Sequence, residues 1–188
     1  MNNYQEIPKD SSHRLINHGP VVWVSTRDNK GAYDIAPIAW GCPVRKDPPK
    51  LAVVVGNRHK THENIKATGE FIVCVPHATQ IELVKKTGSK SGMDLNKFEA
   101  FGIRAFQGKK VDALIPEGCI GYLECRVYSS VEVEKVEMFI GEVLSANVNP
   151  EAYSGRLLTE KEEGKTLHHL GERIFAVPSD AVLEAKSS

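Results

Sequence analysis

The residues with the clearest chemical potential stand together in GNRHKTHENI, positions 56–65. An apolar run, LAVVVG at 51–56, delivers the chain into a glycine, then Asn57, Arg58, His59 and Lys60, then Thr61 and a short stretch of helix formers that ends at Gly69. Helix starts present unpaired N–H groups and a partial positive charge. With Thr61 as the N-cap, Arg58, Lys60 and the Thr61 hydroxyl add charge-assisted donors, which is an arrangement suited to a phosphate monoester. The spacing fits neither a Walker loop nor GxGxxG, and taken alone it also describes a solvated cationic helix start. A second donor-rich stretch, TGSKSGMDLNKF at 87–98, carries Ser89, Lys90, Ser91, Gly92 and Lys97. By itself it is a polar connection anchored by Phe98; alongside the first loop, it offers a second wall for one anion.

Other chemistry-bearing residues are less organised. Seven histidines are present, and His59 and His62, spaced i, i+3, face either a phosphate or solvent. Trp23, on an alternating strand, reads as core, whereas Trp40 reads equally as core or as a ligand platform. The four cysteines, Cys42, Cys74, Cys119 and Cys125, contain no CxxC pair and read as buried free thiols, and the adjacent His168 and His169 are poor zinc ligands. No Ser-His-Asp order and no isolated carboxylate pair is legible, so any redox chemistry must come from a cofactor.

The elements that must position these residues follow from pattern. PVVWVSTR at 20–27, the turn Asp28–Gly31 and AYDIAPIAWG read as a β-hairpin. RKDPPK at 45–50 reads as a loop into the buried strand LAVVVG. EFIVCVP at 70–76 is another strand, and HATQIELVKKTG at 77–88 has helical spacing up to a second terminating glycine, Gly88. The long alternating runs 119–131 and 136–148, separated by EVEK, form an antiparallel hairpin, which favours an antiparallel barrel over a doubly wound sheet. RIFAV at 173–177 is a candidate closing strand, and 149–165 is polar loop or short helix. At 188 residues the chain is expected to be a single domain over 1–188 with its core at about 15–177. Lys plus Arg and Asp plus Glu each number 24, which provides no global field for nucleic acid or an anionic membrane surface. No run reaches membrane-span length and Met1–Lys9 is polar, so the expected localisation is cytoplasmic.

The order WVSTRD, DIAPIAWGCPVRKDPP, KTHENIKATGEFIVCVP, SGMDLNKFEAFG and FIGEVLSANV resembles the flavin reductase-like, FMN-binding split-barrel family that includes flavoredoxins, over roughly residues 15–177. The resemblance implies a mostly β fold: an antiparallel, Greek-key split β-barrel with a few short helices. It implies FMN as cofactor, with the ring along Asp34, Ala36, Pro37, Ile38, Ala39 and Trp40. The phosphate would fall to Asn57, Arg58, Lys60 and Thr61, and a second loop would contribute Ser89, Ser91 and Lys97. LHHLGERIF matches a late segment of the family that sets His168 or His169 beside the flavin or a substrate pocket. Three positions depart from the family pattern: Asp34 and Cys74 where Asn is common, and Val136 where some members have His. Asp34 as a bare anion would oppose a reduced, anionic flavin. The implied function is an NAD(P)H-dependent flavin or substrate reductase, with NADH or NADPH as transient donor. Two other readings are a flavoredoxin-like carrier serving a redox protein partner and a non-enzymatic small-molecule-binding barrel. A homodimer with flavin sites near the interface is also implied, since LAVVVG and FIVCVP lack the alternation of a wetted outer wall.

Overall fold

The computed structural model describes residues 8–15 and 19–185. In chain order the strands and α-helices are β1 (Val22–Arg27), β2 (Tyr33–Ile38), β3 (Gly41–Lys46), β4 (Pro49–Gly56), α1 (Lys60–Thr68), β5 (Glu70–Val75), α2 (Ile81–Ser89) and α3 (Lys97–Ala100). They are followed by β6 (Ala105–Gln107), β7 (Leu114–Pro116), β8 (Gly121–Val133), β9 (Val136–Val148), β10 (His168–Gly171) and β11 (Ile174–Ala176). A seven-stranded sheet has the order β2-β1-β5-β8-β9-β4-β3, and every pairing in it is antiparallel.

Closure of this sheet follows from its connectivity. β2 and β3 are its two edges, yet only Ala39 and Trp40 separate them in the chain, so the edges must meet and the sheet must curl. The Val54 amide of β4 donates to the Trp40 carbonyl at 2.9 Å, which carries the β3–β4 ladder one residue back into that two-residue connection. The β8–β9 hairpin joins the two halves: β8 pairs with β5 over Gly121–Arg126, and β9 pairs with β4 over Val136–Glu142. Register shifts at Glu124/Cys125 and Val127/Ser129 add local twist.

β5 shows why the apolar runs are continuous. Phe71 and Val73 point into one core with Val24, Val53, Val55, Ile65 and Phe139, while Ile72 and Cys74 point into a second with Trp23, Ile35, Val84 and Leu167. A strand buried on both faces needs apolar residues at every position. Part of the cover on the second face comes from the chain itself, since Val84 of α2 belongs to that core. Trp23 is fully buried, with its indole N–H on Thr87 Oγ1 at 3.0 Å, as expected of a core residue.

Several expectations are corrected. Residues 45–50 are mostly strand: β3 and β4 are joined by a tight turn at Asp47–Pro48, because Pro48 sits in the turn and Pro49 is the first residue of β4, positions where a proline leaves the ladder intact. Helix α1 is N-capped by His59, not Thr61, which lies one residue inside the helix. Gly69 ends it with φ 71°, the left-handed conformation that the sequence implied. Gly88 does not end α2, which runs through it to Ser89. RIFAV does not close the barrel: β11 pairs only with β10, in a separate two-stranded hairpin. Cys42 is exposed rather than buried, whereas Cys74 and Cys125 are buried and Cys119 is half-buried, all four as free thiols. Among the described residues, no helix is long and apolar enough to cross a membrane.

Candidate functional site

Three cavities meet at Pro37, on the seam where the barrel closes. The smallest, about 90 Å³, is enclosed by Asp34, Ala36, Pro37 and Ile38 of the β2 segment, by His59, Lys60 and Thr61 at the start of α1, and by Lys90, Ser91, Gly92 and Lys97. That is the room of about three waters at roughly 30 Å³ each, so it suits a compact head group and is too small for a ring system. A second cavity, about 410 Å³, runs along Pro37–Trp40 between Val54, Gly56, His59 and Val136 on one side and Arg14 and His169–Glu172 on the other. A third, about 360 Å³, lies between Pro37, Ala39, Val84, Lys85, Gly88 and Ser89 and the hairpin residues His169, Glu172, Arg173 and Phe175.

The small cavity gathers N–H and ammonium donors around one carboxylate, Asp34. The Lys60 and Thr61 amides occupy the first positions of α1, where no intrahelical acceptor exists. Lys60 Nζ lies 2.7 Å from Glu63 and 3.3 Å from Asp28, and these two carboxylates hold its ammonium above the usual lysine range. Asp28 is held below the usual carboxylate range, first by the Ala32 amide and also by the Lys30 amide and Lys60. Thr61 donates its hydroxyl to Asp34 Oδ2 at 3.0 Å. Lys97, buried on α3, donates to the Ile35 carbonyl at 2.8 Å and stands 3.2 Å from Asp34 Oδ1. Asp34 is therefore an ion-paired buried carboxylate, not the bare anion the sequence suggested. Gly92 is required beside it, because a Cβ there would sit 2.2 Å from Asp34 Oδ1.

The structure thus brings together Asp34, Ala36, Pro37, Ile38, Lys60, Thr61, Ser91 and Lys97 around one cavity, with Ala39 and Trp40 along the second. Ser89 lines the third cavity and gives its hydroxyl to the Lys86 carbonyl. Asn57 and Arg58 line none of the three and are exposed; Asn57 donates instead to the Glu134 carbonyl at the tip of β8–β9. His168 also lines none of them, because strand alternation turns it toward Pro20 and Thr166. His169 occupies the wall instead, its ring tilted against Phe175 with centroids 5.2 Å apart and Nε2 on the Glu172 carbonyl at 3.2 Å. Since a carbonyl only accepts, Nε2 carries the proton.

Two residues were not singled out from sequence: the His59 ring, left open between phosphate and solvent, which lines two of the cavities, and Glu137, which lines none of them but supports α1 from below. Glu137 is buried under α1 and accepts from Ser130 Oγ at 2.5 Å, His62 Nε2 at 2.7 Å and Lys66 Nζ at 3.1 Å. Burial raises its pKa, but the Ser130, His62 and Lys66 hydrogen bonds outweigh that and hold it below the usual range. Its legible signal was a charge at 137, in phase with the buried Phe139.

Comparison with known proteins shows the family and the fold. The model of the flavin reductase-like domain matches residues 14–168. The protein YddH of Escherichia coli (strain K12) is 31% identical over 186 residues, covering 97% of this chain and 98% of its own. The solved FMN-binding domain of a flavin reductases-like enzyme from Shewanella baltica OS155 is 27% identical, with a TM-score of 0.78 over 95% of this chain and 96% of its own. Flavoredoxin from Methanosarcina acetivorans, 23% identical, shares the fold with a TM-score of 0.82 over 98% of this chain and 96% of its own.

Proposed function

Because the chain belongs to the flavin reductase-like domain family, we propose that it binds FMN along the barrel seam and acts as an NAD(P)H-dependent reductase of flavin or of a small substrate. One observation carries the reading: a phosphate-sized, donor-lined cavity shares the wall at Pro37 with two cavities whose volumes, about 360 and 410 Å³, are those of small-molecule sites. The phosphate would be held by the Lys60 and Thr61 amides, Lys60, Lys90 and Ser91. The ring would lie along Ala36–Trp40, where β2, an edge strand, leaves one row of backbone groups outside its ladder with β1. Bound FMN supplies hydride acceptance and one- or two-electron transfer. The chain's own groups hold and orient it: Pro37, Ala39 and Phe175 exclude water, and His169 offers a titratable ring at the junction of the two larger cavities.

The family reading also includes a homodimer. It is supported by an apolar depression on the β3 edge, lined by Ala39, Trp40, Cys42, Ala52, Val54 and Met138, with Trp40 46% and Val44 48% exposed. A lone barrel gains nothing from such a face, whereas a two-fold partner would bury it. Free thiols at all four cysteines support a reducing compartment such as the cytoplasm.

The test is anaerobic mixing of the FMN-loaded protein with NADH and with NADPH while the flavin absorbance is followed. Rapid bleaching by either nucleotide is the expected result. Stable FMN binding without bleaching would replace the reductase with an electron carrier that needs a protein partner. Absence of any flavin binding would leave only a non-enzymatic barrel.

A further inference from the structure

Two of the three lysines that line the small cavity are already claimed by carboxylates of the chain. Lys97 stands 3.2 Å from Asp34, and Lys60 stands 3.3 Å from Asp28 and 2.7 Å from Glu63. Only Lys90 of this lining has no ion pair among the described residues. Thr61 too spends its hydroxyl proton on Asp34. The Asp34–Lys97 pair is deep: both side chains are no more than 4% exposed, and Gly92 closes the loop directly over the Asp34 carboxylate.

A buried ammonium needs one anion beside it, and here two could serve: the Asp34 carboxylate or a phosphate entering the cavity. Since Asp34 is covalently part of the site, an incoming phosphate gains only what remains after that pair is formed. The same competition acts, less strongly, between a phosphate and Asp28 for Lys60.

Resting on the FMN reading above, we propose that Asp34 and Asp28 are internal competitors for the cations of the phosphate cavity, and that they keep FMN an exchangeable ligand rather than a retained group. The assignment gives the carboxylate at position 34 a purpose that an amide could not serve, because only the charged side chain neutralises Lys97. It also ties flavin retention to charge more than to shape, since an asparagine at position 34 has nearly the volume of the aspartate.

The experiment is a fluorescence titration of the flavin-free protein with FMN and, separately, with riboflavin, which lacks the phosphate. Wild type, Asp34→Asn and Asp28→Asn are compared. Wild type is expected to lose FMN on gel filtration. Asp34→Asn should bind FMN on the order of tenfold more tightly, the effect of freeing one charge-assisted hydrogen bond, and Asp28→Asn severalfold more tightly. Asp28→Asn should leave riboflavin affinity unchanged, and any gain of Asp34→Asn for riboflavin should be smaller than its gain for FMN. Asp34→Asn without ligand should also melt at a lower temperature, since Lys97 loses its counter-ion, and should gain more on FMN addition than wild type. Asp28 and Lys60 sit nearer the surface, so Asp28→Asn tests the proposal even where Asp34→Asn fails to fold. Equal or weaker FMN affinity in the folded variants, or an equal gain for riboflavin, would overturn it. No flavin binding by any of the three proteins would instead remove the FMN reading on which it stands.

Discussion

Glu137 offers the sharpest test of how the barrel holds the helix that forms the site. Replacing it with alanine removes a buried acceptor from three donors: His62, Lys66 and Ser130. The three losses differ in size. Lys66 is 53% exposed and turns to water, so its pair contributes at most about 1 kcal/mol. Ser130 lies on an exposed stretch of β8 and is also rehydrated, at a cost of roughly 0.5–1.5 kcal/mol. His62 is 15% exposed and packs at a tilt against Phe139, so its bond to the carboxylate is worth the most, about 1.5–3 kcal/mol. Because these losses overlap, Glu137→Ala should cost about 3 kcal/mol, the lower end of the range for breaking a buried pair. Glu137→Gln, which keeps the volume and one acceptor, should cost roughly half as much. The sign of the pH effect follows from the lowered pKa of Glu137. A carboxylate with a depressed folded pKa stabilises fully above its unfolded value, about 4.3, and that contribution is lost as pH falls through the folded value. Urea unfolding followed by circular dichroism at several pH values between 7 and 3 measures both quantities. An alanine variant within 0.5 kcal/mol of wild type at pH 7, a deviation no larger than an ordinary surface substitution, would refute the reasoning, as would a wild-type advantage over Gln that persists undiminished at pH 3.

Other expectations follow from the same geometry. Lys60→Ala should weaken FMN binding by about 1–3 kcal/mol without unfolding the protein, and a titration showing unchanged affinity would place the phosphate elsewhere. Gly92→Ala drives a Cβ to 2.2 Å from Asp34 Oδ1, so the loop must shift; a thermal melt should show a loss of about 1–3 kcal/mol, and an unchanged melt would mean the loop does not close on Asp34. Burial raises the Cys74 thiol and pushes Cys125 up to about 12, so both should resist a disulfide reagent at pH 8 until the protein is unfolded. Cys42, on the apolar β3 edge, should label quickly in dilute solution and slowly at concentrations where two chains associate; a rate independent of concentration would count against that face as the interface.

Periodicity exposed the fold wherever one face of an element decides its sequence. The alternation of 136–148 and the two-sided apolar run of β5 were enough to place the central strands. The β3–β4 turn was misread because prolines punctuate so strongly that a hairpin around Asp47–Pro48 looks like a longer loop. At the site, Lys60, Thr61, Ser91 and Lys97 were legible as donors, but their partners were not. No spacing rule joins Asp34 to Lys97 across 62 intervening residues, so a buried ion pair looked like an isolated acid. The choice between His168 and His169 likewise depended on register, since adjacent strand residues face opposite ways and only the pairing of β10 with β11 decides which faces the cavity.

The location of the site follows from barrel closure itself. An open antiparallel sheet has two edges, and each exposes unpaired backbone groups that must be covered or used. Here the chain passes from one edge to the other through Ala39 and Trp40, too few residues to add a strand between them. Pro37 lies within β2 and has no N–H to donate, so the outer side of that edge cannot be a full ladder for another strand. The protein covers the edge in pieces instead. Lys97 reaches the Ile35 carbonyl, α2 packs against β2 through Gly88, where a Cβ would come within 2.9 Å of the Pro37 ring, and the β10–β11 hairpin stands over Ala39. Between these covers the cavities remain, with backbone groups on one side and the positive end of α1 at the other. On the proposed reading, a planar, hydrogen-bonding ring with a phosphate tail would complete what no strand can, and the edge would serve as a binding site instead of a point of aggregation.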